Sequence, residues 1–104
     1  MRKNHLEINE HQLKDFCHRW KISELALFGS VLRDDFRNDS DIDAIVTFLP
    51  DVIWSLLDQV KMEQEISEFL GRSVDLISKR AIEMNKNWII REEILNSAET
   101  IYAA

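Results

Sequence analysis

The chain has little of what staples or interrupts a protein: one cysteine, one proline and two glycines among 104 residues. A lone Cys17 rules out an internal disulfide and suits a reducing compartment. Apolar runs are short and none approaches the ~20 residues of a membrane helix. No apolar stretch follows the charged start Met1-Arg2-Lys3, so no secretory leader is expected. Basic residues are also scarce, with 13 Lys and Arg against 19 Asp and Glu and a net charge of −6. Such a surface repels phosphate backbones and argues against direct nucleic-acid binding, and it suits a basic protein partner. Linkers, repeats and low-complexity tracts are absent. The expectation is a single cytoplasmic domain over residues 1–104 with no membrane partner, its core supplied by the 45% of residues that are hydrophobic.

What is present reads as alternating helices and strands. Asn9 can cap a helix over Glu10 to Trp20, with Gln12 reaching back, Ile8 stapled to Leu13, and Leu13, Phe16, Cys17 and Trp20 on one face. Leu25-Ala26-Leu27-Phe28 is a continuous apolar run that suits a strand covered on both faces, ending at Gly29. Ser30 to Arg33 reads as a turn or helix start, and Asp34 to Ser40 as a loop. Ile42 to Phe48 is a second strand closed by Pro50. Ile53, Leu56, Leu57 and Val60, then Ile66, Phe69 and Leu70, mark a long amphipathic helix that Gly71 can end. Ser73 to Ser78 is a third strand. A last helix runs from Asn85 to about Ser97 with Ile90, Ile94 and Ala98 on one stripe, and Thr100 to Tyr102 can add an edge strand. The fold class expected is α+β, a small mixed β-sheet with helices packed on it.

Chemistry concentrates in a few positions. Asp41 and Asp43 stand two apart at the start of a strand, so their carboxylates project to the same side. They repel, and each raises the other's pKa unless a cation lies between them; oxygen-only ligands favour Mg²⁺. Taken alone, the pair equally describes a polar strand entrance. Gly29-Ser30 follows a buried strand, where backbone N–H groups collect and bind anions, and serine adds a hydroxyl. Taken alone, it equally describes a turn. Asp75 lies inside the otherwise apolar Val74-Asp75-Leu76-Ile77. If its strand neighbours the second, it completes a three-carboxylate cluster; on an edge it would merely face solvent.

The combination resembles the minimal nucleotidyltransferases of the polymerase-beta-type superfamily. The matching residues are Leu27-Phe28-Gly29-Ser30-Val31-Leu32-Arg33 and Asp39-Ser40-Asp41-Ile42-Asp43, with helix 1 ahead and Val74-Asp75-Leu76 behind. Many relatives carry Ala and Gly where this chain has Leu32 and Asp34; Arg33 can offset the charge that Asp34 adds. The resemblance implies transfer of a nucleoside monophosphate, AMP from ATP, to a hydroxyl. Two Mg²⁺ ions would be held by Asp41, Asp43 and Asp75, the catalytic carboxylates. Gly29, Ser30 and Arg33 would bind the triphosphate. Stand-alone relatives of this size are commonly antitoxins paired with HEPN-domain ribonuclease toxins, which they silence by attaching AMP to a tyrosine. A chain with so little room for an acceptor domain needs a partner that presents the hydroxyl. Two other readings stay open: an antitoxin that masks its toxin by binding alone, and a catalytic subunit that modifies a small molecule such as an aminoglycoside beside a separate helical protein.

Other tempting residues read as structural. His11 and His18 fall off the apolar face of the first helix, and with His5 they show no metal-ligand spacing. Cys17 reads as a small core residue. Trp20, Trp54 and Trp88 read as core or interface anchors, and Tyr102 as terminal packing.

Overall fold

A computed structural model describes residues 2–3, 6–29 and 41–104. A two-residue pairing, β1 (Arg2–Lys3) with β2 (Leu6–Glu7), precedes α1 (Glu10–Arg19). Then follow β3 (Ile22–Phe28), β4 (Ile42–Phe48), α2 (Leu56–Leu70), β5 (Val74–Ser78), α3 (Lys79–Glu83), α4 (Trp88–Ser97) and β6 (Glu99–Ala103). The main sheet has the order β5-β4-β3-β6. β4 runs antiparallel to β3 and parallel to β5, and β6 runs antiparallel to β3. This is the mixed sheet with helices that the residue pattern predicts. The expected short element at Ser30 to Arg33 and the loop at Asp34 to Ser40 lie outside the described residues.

Local chemistry accounts for the boundaries. Asn9 Oδ1 accepts from the Gln12 N–H at 3.0 Å and starts α1, and Ile8 and Leu13 are both buried as a staple requires. With no glycine available after Trp20, the chain turns through Lys21 at φ 54°. α2 starts later than its apolar pattern suggests. Ser55 and Asp58 form a reciprocal capping box, the Asp58 N–H donating to Ser55 Oγ at 3.1 Å and the Ser55 N–H to Asp58 Oδ2 at 3.0 Å. Ile53 is therefore outside the helix. Gly71, at φ 72°, ends α2 as its left-handed cap.

The core lies between one face of the sheet and α1 with α2. Leu13, Phe16 and Cys17 of α1 and Met62, Ile66 and Leu70 of α2 meet Leu25, Leu27, Ile42, Ala44, Val74 and Leu76. Trp20 and Trp54 pack edge to face at 5.1 Å beside it. Trp20 Nε1 also donates to Glu65 Oε2 at 2.7 Å, tying α1 to α2. On the opposite face Ala26 and Ile45 are buried, with Leu95 and Ala98 nearby, and Ile82 of α3 is buried as well.

Two expectations need correction. The first half of the stripe read as the buried side of the long helix is exposed: Ile53 is 93% and Leu56 79% exposed, with Leu57 and Val60 also exposed. Only its second half, joined by Met62, packs inward, with Met62, Ile66 and Leu70 buried. The last helix begins at Trp88 under an Asn87 cap, and none of its residues is fully buried. The preceding α3 is five residues long, too short to show a period.

Candidate active site

The sheet's connectivity brings the proposed residues to one end. β4 and β5 are parallel, so both start there, and antiparallel β3 finishes there. The register places Phe28 opposite Asp43 and Asp43 opposite Asp75, a single row across three strands. Ile42 and Ala44, and Val74 and Leu76, point into the core. Strand alternation therefore turns Asp43 and Asp75 to the opposite face. Asp41 lies two residues before Asp43 on the same side. It is exposed, and Asp43 is half-buried.

Asp75 differs from one expectation. It is not a buried acid in a covered strand; among the described residues β5 is an edge strand, and Asp75 is exposed. Its register partner is nevertheless Asp43, and the charge is felt there. Burial, then the charges of Asp75 and Asp41, raises Asp43 above the ordinary aspartate pKa. Among the described residues, no three His, Cys, Asp or Glu side chains converge as a ready-made metal site. The donor set still suits a hard cation: three carboxylates at one sheet end repel, and positive charge is what would draw them together.

Gly29 adjoins this group at φ 81°, a conformation that side-chain-bearing residues rarely adopt. A Cβ there would lie 2.9 Å from Asp43 Oδ2. The glycine thus lets the β3 terminus sit directly against the carboxylate. Ser30 and Arg33 lie outside the described residues.

The histidines behave as expected where described: His11 and His18 are exposed, and His5 lies outside the described residues. The residues passed over are Gln59, Glu63 and Ser67. They recur every four residues on α2, a legible stripe, but its use depends on β5 being an edge strand.

Residues 10–100 match the nucleotidyltransferase domain family. The chain belongs to that family. This nucleotidyltransferase domain is 35% identical over 69 residues to the protein adenylyltransferase MntA of Thermococcus cleftensis, covering 66% of this chain and 68% of that protein. A solved structure described as a candidate minimal nucleotidyltransferase superposes with a TM-score of 0.64 at 32% identity, covering 86% of this chain and 84% of its own. A toxin–antitoxin crystal structure with AMP-PNP shares the fold, with a TM-score of 0.68 at 18% identity and coverage of 93% and 75%.

Proposed function

We propose that this nucleotidyltransferase is an antitoxin that transfers AMP from ATP to a tyrosine hydroxyl of a HEPN-domain toxin. The observation that carries the reading is the row Phe28–Asp43–Asp75, with Asp41 beside it and Gly29 closing against Asp43. The name of the Thermococcus relative supports adenylyl transfer, and the shared fold of the toxin–antitoxin structure supports the setting.

In this reading Asp41, Asp43 and Asp75 would hold two Mg²⁺ ions, which when bound supply positive charge to the triphosphate and acidify the acceptor hydroxyl. The Gly29 N–H, the Ser30 hydroxyl and the Arg33 guanidinium bind and orient the β and γ phosphates. Asp75, exposed at the sheet edge, receives the acceptor proton. The tyrosine oxygen forms a bond to the α-phosphorus as the bond to the β-phosphate oxygen breaks, and pyrophosphate leaves. Positioning and electrostatics are nearly all that such a site contributes.

The test combines the chain, its toxin, Mg²⁺ and each of the four nucleoside triphosphates, followed by intact mass measurement of the toxin. The expected gain is one or more AMP units with ATP, falling at least about a hundredfold in rate for Asp41→Asn and Asp43→Asn. A phosphate-sized gain, or none from a confirmed complex, would mean that the chemistry is wrong. A second reading, protection by binding alone, is favoured by exposed Ile53, Leu56, Trp88 and Ile89, more apolar surface than a free domain needs. If both Asn variants protect cells as well as the parent at matched expression, binding is sufficient.

A further inference from the structure

Among the described residues, β5 has a strand neighbour on one side only. An uncovered edge of this kind presents unpaired backbone groups and little to hold its height. Successive residues of a strand direct their N–H and C=O groups to alternate edges. Ser73 O accepts from the Ile42 N–H at 2.8 Å, and Asp75 is in register with Asp43, so these residues bond toward β4. Val74 and Leu76 bond outward.

Those outward groups meet side chains of α2. The Val74 N–H donates to Ser67 Oγ at 3.0 Å, and the Leu76 N–H donates to Glu63 Oε2 at 3.1 Å. Gln59 Nε2 donates to Leu76 O at 3.2 Å. The Ser67 hydroxyl donates to Glu63 O at 2.5 Å, which commits its proton and leaves its lone pairs for Val74. One polar stripe of the helix thus replaces a missing strand, and the two amides it grips are those on either side of Asp75.

We infer that Glu63 and Ser67 are positioning residues that set the height of Asp75 opposite Asp43. The inference rests on the reading of Asp75 as part of the nucleotide site. The physical reason is that the neighbouring strand restrains β5 from one side only. A one-residue slip would turn Asp75 to the core face. A displacement of about 1 Å at a reacting centre can cost on the order of a hundredfold.

The experiment uses the full chain labelled with ¹⁵N, Mn²⁺ and ATP. It reads Mn²⁺ affinity by paramagnetic broadening and amide exchange at Val74 and Leu76. Glu63→Leu and Ser67→Ala remove the acceptors. Glu63→Gln and Ser67→Thr keep them, and Gln separates loss of the acceptor from loss of charge. Removing an acceptor is expected to expose the matching amide and weaken Mn²⁺ binding about tenfold, the usual scale for groups that orient metal ligands. The conservative pair is expected to stay within about twofold of the parent by the same scale. Parental Mn²⁺ affinity in Glu63→Leu and Ser67→Ala, with their amides exposed, would overturn the positioning role while leaving the site reading intact. Asp75→Asn binding Mn²⁺ as well as the parent, or a parent that binds none, would overturn the site reading and this inference with it.

Discussion

At the scale of single residues, Asp43 carries the opposing demands of fold and chemistry. Burial and two neighbouring carboxylates hold its pKa above the ordinary aspartate value. The folded state therefore binds this proton more tightly than the unfolded state. The stabilisation from that proton is complete below the ordinary aspartate pKa and is lost as pH rises through the folded value. Ionisation of Asp43 thus works against the fold when no cation is bound. Asp43→Asn is expected to raise the melting temperature at pH 7 by about 1–3 °C, a small shift because the group is half-exposed. Thermal melts across the acid range should show that advantage fading toward low pH. A variant that melts below the parent at pH 7 would contradict the electrostatic account. Cys17 shows the opposite case of a reactive type made inert: burial pushes its thiol up to about 12.

At the scale of elements, polar side chains decide where helices start. Ser55, Asn9, Ser78 and Asn87 each accept from backbone N–H groups of the first turn. Ser55 matters most, because its box with Asp58 sets the start of the helix whose later turns grip β5. Ser55→Ala is expected to cost about 1 kcal/mol in urea unfolding, the usual value of such a cap. An unchanged midpoint would show that packing of Met62 and Ile66 alone fixes the helix. The same cap explains why the apolar pattern misplaces the start: Ile53 and Leu56 look like a buried stripe, but Ile53 and Trp54 lie before the Ser55 cap, outside the helix.

At the scale of the whole molecule, burial is uneven. The side of the sheet under α1 and α2 holds the main core, and the side bearing the acids buries only Ala26, Ile45 and Ile82 among the described core residues. Apolar residues therefore divide into two populations with different energetic weight. Ile66 is fully buried between helix and sheet, and Ile66→Ala is expected to cost about 2–5 kcal/mol. Trp88 is 63% exposed, and Trp88→Ala is expected to change the stability of the isolated chain by no more than about 0.5 kcal/mol. Urea titration of both variants measures the contrast. A large loss for Trp88→Ala would place it in the core instead. Among the described residues, no helix is long and apolar enough to cross a membrane.

The sequence by itself determined the parts whose signal is local. Helical spacing identified α1, because burial of one face imposes a 3.6-residue repeat, while short apolar segments between polar stretches and breakers marked β4, β5 and β6. The spacing of Asp41 and Asp43 fixed their common side, and Gly71 marked the left-handed end of α2 that a missing side chain makes easy. What it left open were relations between distant segments. Whether Asp75 stood beside Asp43 depended on β5 pairing parallel with β4. That β5 ends the sheet, leaving Asp75 exposed and its outer edge for Gln59, Glu63 and Ser67 to cover, is a matter of strand order. Strand order is decided by which apolar faces close together, and no local repeat encodes it.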